Sequence, residues 1–269
     1  MKFVVLIDVT EASARLLRFA HGIAAAAGAT LLVVHQSILP APAMGDAESR
    51  SAVKNENKNR SLEALRHYVE NIIGDSVPLE YEVTTGNLQG FLHSLEKSLD
   101  FNLVFVGVKH KGLMEKMLVG NTATKLTNDL SKTIIALPEE QNGPSFDTLY
   151  VAVKKEFSFN AHALYQCITA LRNTVKKVHL FSIVAAGEDE NAVISLMEKI
   201  VSGVPEGIIG SYETIQAADP HKQIKNFMHA HRDGILVVQK GSRGIMDVFR
   251  KYFVHDLVDD AQLPVIILP

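Results

Sequence analysis

The chain is built from two copies of one unit, and this internal repeat constrains its fold more than any other feature of the sequence. Residues 103–112 align with residues 235–244, and residues 119–138 align with residues 250–269. The other apolar segments of the first copy also recur in the same order in the second copy. Repetition on this scale indicates two similar structural units arranged in tandem.

Each unit alternates candidate strands with candidate helices. Strands that are apolar at every position, such as residues 3–7, are typical of parallel sheets covered by helices on both faces. Apolar residues then recur at helical spacing between Thr10, a candidate N-cap, and Gly28, which can end the helix. Residues 40–60 are mostly polar and contain two prolines and a glycine, so we expect a loop before a helix that ends near Ile73.

The resulting order is β-α-β-α-β-α-β-α-β in each unit, which predicts an α/β fold with two tandem, doubly wound, parallel five-stranded sheets. The length of 269 residues is sufficient for two domains. Residues 139–146 contain Gly and Pro without helical or strand spacing, and this composition is typical of a linker. We therefore predict domains over residues 1–138 and 147–269.

Composition excludes several classes of function. The chain is 47% hydrophobic and 21% charged, as in ordinary soluble proteins, and its net charge of −3 gives no reason to expect nucleic acid or an anionic membrane as partner. The single cysteine, Cys167, lies in an apolar stretch and is expected to be buried and unreactive. No apolar run is long enough for a signal peptide or a membrane span. We expect a cytoplasmic protein.

A stretch with three glycines follows the fourth strand. Gly107 and Gly112 have the spacing of a Walker A loop, but Leu113 and Met114 stand where that loop requires Lys and Ser/Thr. The first strand–helix turn also lacks the GxGxxG motif of a Rossmann dinucleotide site. A different phosphate site stays open, because Gly120 begins a predicted helix and helix N-termini bind anions. Ligands of doubly wound sheets lie beyond the carboxyl ends of the strands, where the stretch begins.

Two motifs resemble those of the universal stress protein family. The first is an apolar strand that ends in Asp and continues to Ser/Thr–Glu, here Ile7-Asp8-Val9-Thr10-Glu11. The second is G-x2-G-x9-G-[S/T] after the fourth strand, where Gly107 and Gly120 match the outer glycines. His110 replaces the middle glycine, and Asn121 precedes Thr122 at the Ser/Thr position. The resemblance covers both halves, as in tandem members, and implies sheets of the adenine nucleotide alpha hydrolase-like type.

The resemblance implies a regulatory stress-response protein whose first domain binds an adenine nucleotide, ATP or AMP, with Mg²⁺ accompanying ATP. Gln36 would lie beside the adenine, since it follows the histidine that ends the second strand. The implied binding residues are Asp8, Val9, Gln36, Gly107, Lys109, His110, Gly120, Asn121 and Thr122. His110 lacks the backbone freedom of glycine, and its ring can either fill the phosphate position or donate to a phosphate. A nucleotide-free scaffold or interaction module with a degenerate site is therefore the alternative.

The second unit departs further from the family pattern. Lys154 stands at the position of the acidic residue, and Gln239 and Lys251 replace the outer glycines. Large side chains prevent the close backbone approach that a phosphate site needs, so we expect no nucleotide there. By resemblance, residues 133–137 and 264–268 are expected to pair across a pseudo-two-fold axis, which closes two sheet edges inside one chain. A further homodimer is left open.

No catalytic or metal site is expected. No serine combines a nucleophile-elbow context with convincing triad partners. No clear general base, arginine clamp or standard magnesium pair is evident, so any catalysis would be at most a slow ATPase activity. Three histidines in the second unit do not converge on one side of a helix, which argues against a metal site at His221, His229 and His231. The sequence does not identify a protein partner.

Overall fold

The computed structural model describes residues 1–37, 46–74, 76–98, 100–108, 130–138, 146–155, 158–218, 220–231, 233–240 and 264–269. The first half contains β1 (Lys2–Ile7), α1 (Glu11–Ala27), β2 (Thr30–Gln36), α2 (Ala47–Glu70), β3 (Leu79–Thr84), α3 (Leu88–Ser98), β4 (Leu103–Val108) and β5 (Thr133–Pro138). The second half contains β6 (Thr148–Ala152), α4 (Ala161–Ala170), β7 (Lys177–Val184), α5 (Glu190–Val201), β8 (Ile209–Gln216), α6 (Pro220–Ala230), β9 (Gly234–Gln239) and β10 (Val265–Leu268). All ten predicted strands are confirmed, whereas the helix predicted near residues 122–130 lies outside the described residues.

One ten-stranded sheet runs through both halves, in the order β3-β2-β1-β4-β5-β10-β9-β6-β7-β8. Neighbouring strands within each half are parallel, and the two halves join through the antiparallel pair β5–β10, where Ile135 lies opposite Ile266. The predicted pairing of the two last strands is therefore confirmed, and the two predicted five-stranded sheets form one continuous sheet. The strand order reverses between β1 and β4, so this point is the switch point of the first half.

The strand registers agree with the internal repeat. Phe3 lies opposite Leu103 in the first half, and Leu149 lies opposite Ile235 in the second. These are the residues that the repeat aligns, so equivalent positions of the two halves can be compared residue by residue.

Alternate residues of the central strands enter two separate cores. Phe3 and Val5 pack with α1 on one face of the sheet, whereas Val4 packs with the residues beneath α3 on the other face. All three side chains are completely buried. Gly28 ends α1 with a φ of 61°, in the left-handed region that glycine adopts without strain, as predicted. None of the described helices is both long and apolar enough to cross a membrane.

The expected loop over residues 40–60 is wrong for residues 47–60, which form the first part of α2. The sequence pattern did not predict this part of the helix, because its residues are mostly polar and form no apolar stripe at helical spacing. It consists largely of residues with good helix propensity, and Glu56 and Arg60 form an i,i+4 ion pair at 3.2 Å. The apolar stripe begins only later, where Leu65 and Val69 are fully buried.

Candidate functional site

The carboxyl ends of β1, β2 and β4 lie together at the switch point of the first half, the place where doubly wound sheets have a crevice. Leu6 lies opposite Val106, and Ile7 lies opposite His35. The sheet register therefore brings three predicted site residues, Asp8, Gln36 and Gly107, to the same end of the sheet. Ligands of doubly wound sheets bind at such a crevice.

Asp8 is exposed at the start of α1 and organises the strand–helix turn. Its Oδ1 accepts hydrogen bonds from the Thr10 N–H at 3.2 Å and from the Thr10 and Ser13 hydroxyls, each at 2.5 Å. The Ser13 hydroxyl accepts in turn from the Asp8 N–H at 3.1 Å. The carboxylate thus lies where a negative charge is favourable, at the helix N-terminus.

The predicted side-chain cap at Thr10 is not observed. Thr10 occupies the N-cap position with an extended backbone, but its side chain makes no capping hydrogen bond. Its hydroxyl donates to the Asp8 carboxylate instead, in a charge-assisted hydrogen bond.

Val9 has the most unusual backbone of the site. Its φ is 61°, and it is the one non-glycine residue with positive φ in the part of the chain that the structure describes. This left-handed conformation is unfavourable for a β-branched residue and costs about 1–3 kcal/mol. The side chain is half-buried and packs against the core, and Asp8 and Thr10 on either side of it are hydrogen-bonded to each other. These contacts hold the turn in its strained conformation.

Gln36 lies at the end of β2 with its side-chain amide fixed. Its Nε2 donates to the Gly86 carbonyl at 2.9 Å, which orients the amide beside the crevice. The preceding residue, His35, places its Nδ1 3.0 Å from the Ile7 carbonyl and so connects β2 to the end of β1. Both side chains are half-buried, as expected for residues on the wall of an open crevice.

Gly107 lies near the end of β4. A Cβ added there would contact the Leu16 side chain at 3.7 Å, an ordinary van der Waals distance. Packing among the described residues therefore does not require a glycine at this position. The other predicted site residues, Lys109, His110, Gly120, Asn121 and Thr122, lie outside the described residues.

Tyr68 of α2 is a site residue that sequence reasoning missed. Its hydroxyl donates to the Thr10 carbonyl, so α2 is tied to the strand–helix turn. Burial and the nearby Asp8 carboxylate raise the pKa of Tyr68, while Arg18 lowers it. The available signal was its spacing of three from Leu65, which places a phenol with a polar tip near the apolar stripe of α2.

The equivalent positions of the second half carry larger side chains that contact their neighbours. Gln239, at the position of Gly107, accepts from the Asn160 N–H at 2.6 Å and donates to the Ser158 carbonyl at 2.7 Å. Lys154, at the position of Asp8, lies 3.7 Å from Glu188. That large side chains block a nucleotide here stays a prediction, and Lys251 lies outside the described residues.

Two further predictions concern isolated residues. Cys167 is 1% exposed, and burial raises its pKa to about 12, so the predicted burial is confirmed and the reactive thiolate is disfavoured. His231 binds the Phe227 carbonyl through Nδ1 at 2.7 Å and stacks on the Phe227 ring. Over the residues placed by the structure, no group of three or more His, Cys, Asp and Glu residues could hold a metal ion.

Comparison with known proteins supports the resemblance seen in the sequence. Residues 1–138 match the family model described as the universal stress protein family. No curated protein matches the chain.

Solved structures extend the similarity to both halves. A universal stress protein from Archaeoglobus fulgidus superimposes with a TM-score of 0.67 and 15% identity, covering 99% of this chain and 97% of that chain. A functionally unknown protein from Pseudomonas aeruginosa PAO1 gives 0.54 with 13% identity and coverages of 99% and 92%. The cytoplasmic domain of a prokaryotic cation chloride cotransporter gives 0.51 with 10% identity and coverages of 99% and 94%. These likenesses concern the fold, and the family match spans more than half of the sequence: the chain belongs to the universal stress protein family.

Proposed function

We propose that the first half binds an adenine nucleotide, ATP or AMP, in the crevice beyond β1 and β4, and that the protein acts through this binding as a regulator in a stress response. The observation that carries the proposal is the positive φ of Val9 beside the exposed carboxylate of Asp8. Strained backbone persists only where its surroundings over-determine it, and such residues cluster at ligand sites.

The second half serves as an internal comparison for this strain. The connection after β6 is longer, residues 153–160, and the part of it that the structure describes contains no non-glycine residue with positive φ. Among the described residues, positive φ at a non-glycine residue occurs in the half that keeps Asp8 and Gly107.

The described side chains offer the groups that an adenine nucleoside needs. The half-buried Val9 gives an apolar surface against which a base can pack. Gln36 uses its amide nitrogen on Gly86, which leaves its carbonyl oxygen to accept from the exocyclic amino group of adenine. The Asp8 carboxylate lies where a ribose hydroxyl can donate to it.

The phosphates would lie against residues 107–122, where the family motif places them. Lys109 and His110 would supply donors, Asn121 and Thr122 would supply an amide and a hydroxyl, and Mg²⁺ would accompany ATP. We propose binding without efficient catalysis, because Oδ1 of Asp8 is already engaged by three hydrogen bonds and is poorly placed to act as a base. Any turnover would be that of a slow ATPase.

A nucleotide-free scaffold is the second candidate function. The hydrogen bonds of Asp8 favour it, because they give this carboxylate a structural role in starting α1 that needs no ligand. His110 in place of the middle glycine also favours the scaffold, since its ring can occupy the phosphate position.

Isothermal titration calorimetry of the full chain with ATP and AMP separates the two functions. Nucleotide binding predicts one bound nucleotide per chain and a loss of affinity of about tenfold or more in Asp8→Ala, the scale of a hydrogen bond to a charged group. Lys154→Ala changes the equivalent position of the second half and is the matched control, expected to bind as the wild type does. Absence of heat at millimolar nucleotide would leave the scaffold as the function.

A further inference from the structure

Strand β8 is an outer edge of the sheet and is unusually exposed. It ends the strand order among the residues that the structure describes. Ile209 is 63% exposed and Tyr212 is 38% exposed, and they are two of the three exposed large apolar side chains in the described part of the chain. An edge strand of eight residues presents a row of unpaired backbone groups to any strand that can align with it.

The backbone hydrogen bonds define which groups of β8 face outwards. The Ile209 N–H donates to the Lys176 carbonyl, and the Ala217 N–H donates to the Val184 carbonyl. Since alternate residues of a strand direct their N–H and C=O groups to opposite sides, the odd-numbered residues bond to β7. Gly210, Tyr212, Thr214 and Gln216 therefore direct their backbone groups away from the sheet.

The polar side chains of β8 are used inside the chain. Ser211 and Glu213 both contact the His179 ring, at 2.8 Å and 2.9 Å. The Tyr212 hydroxyl donates to Glu198, and Thr214 and Gln216 both donate to Glu190. Glu213 carries the one charge on this strand and contacts His179, so no further charged side chain on β8 discourages strand pairing.

The sequence of β8 is complementary to itself about Tyr212. Residues 209–215 read I-G-S-Y-E-T-I, with isoleucine at both ends. In an antiparallel pair centred on Tyr212, Ile209 lies opposite Ile215, Gly210 opposite Thr214 and Ser211 opposite Glu213 of the second copy. Residues whose backbone groups point away from the sheet then lie opposite each other in the two copies, so these backbone groups can form the hydrogen bonds of the antiparallel ladder.

We propose that two copies of this chain associate through β8, antiparallel and centred on Tyr212, to form one continuous sheet. This register covers the exposed Ile209 with an apolar side chain and places two tyrosines face to face across the strands. The neighbouring register, centred on Glu213, would set two carboxylates directly opposite each other, which is destabilising. The interface is separate from the proposed nucleotide crevice.

Sedimentation of the full chain tests the association, and cysteine cross-linking tests the register. In Tyr212→Cys the two thiols lie across the axis with Cα atoms about 5.5 Å apart, within the range that a disulfide spans. Mild oxidation should therefore give a covalent dimer. Ile209→Cys is the matched control: this position is more exposed, but its two copies lie at opposite ends of the paired strands. Cys167 is buried and does not compete.

A charge at the edge provides the second test. Ile209→Lys should raise the dissociation constant of the dimer by about tenfold, because lysine loses the apolar contact at both ends of the pair. A wild-type chain that stays monomeric at high micromolar concentration would overturn the proposal. So would cross-linking of the Ile209→Cys variant as fast as that of the Tyr212→Cys variant, or a dimer whose dissociation constant is unchanged by Ile209→Lys.

Discussion

At the level of single residues, some features of the candidate site can be predicted from residue type, whereas the backbone of the strand–helix turn is imposed by the fold. The sequence predicts that Asp8, Gln36 and Gly107 meet, because parallel strands bring their carboxyl ends to one edge, and the structure places them there. The φ of Val9 is not predictable, since valine disfavours the left-handed region. The surroundings of the turn, including the contact of Tyr68 with Thr10, hold it in place.

Replacing Val9 by glycine tests this strain. Glycine adopts a φ of 61° freely, so relief of strain offsets the lost packing of a half-buried side chain, and the free energy of unfolding should change by less than about 1 kcal/mol. Nucleotide affinity should fall, because the turn is no longer fixed. Val5→Gly is the control, since Val5 is fully buried within β1 and should lose about 3 kcal/mol or more. Denaturant unfolding measures both; equal losses would contradict strain at Val9.

At the level of elements, predictability depends on whether an element buries an apolar stripe. The strands are predicted to within one or two residues, because buried parallel strands are apolar throughout. The first part of α2 is not predicted, because it is stabilised by helix propensity and by an exposed ion pair, and neither produces a periodic apolar pattern in the sequence. The strained turn depends on tertiary contacts, which local patterns do not encode.

The junction of α5 with β8 should be sensitive to acid. Hydrogen bonds from the Ala192 N–H and Lys155 lower the pKa of Asp189, and hydrogen bonds from Thr214 and Gln216 lower that of Glu190. A lowered native pKa means that the unfolded chain binds protons first, so the stabilisation is present above about pH 4.5 and is lost as the pH falls through the native pKa values.

Thermal unfolding from pH 6 to pH 3 measures this effect. The double variant Asp189→Asn, Glu190→Gln should be less stable at pH 6 and should lose less stability on acidification than the wild type. Parallel curves for the two proteins would show that these carboxylates do not contribute to the acid sensitivity. Glu206→Gln is the control, because Glu206 is an exposed carboxylate that lies outside this junction.

At the level of the whole molecule, the β5–β10 pair makes the two halves one structure. The family resemblance implies this pairing, which closes the edge that each half alone would leave at its last strand. Contacts away from the sheet add to it: Phe19 of α1 packs against Phe146, and Asn173 donates to the Ala26 carbonyl. The halves should therefore unfold together, although each has its own switch point.

Ile266→Ala tests this coupling at the centre of the sheet. Ile266 is fully buried opposite Ile135, so truncation should cost about 2–5 kcal/mol. If the antiparallel pair couples the halves, hydrogen exchange should rise in β1 and β4 as well as in β6 and β9, and circular dichroism should give one transition at lower temperature. Ile235→Ala is the matched control, a fully buried isoleucine of β9, a strand that does not pair with the first half. Faster exchange confined to the second half in Ile266→Ala would mean that the shared sheet does not transmit stability across the junction, and the two units would then fold as independent domains that happen to share a strand pair.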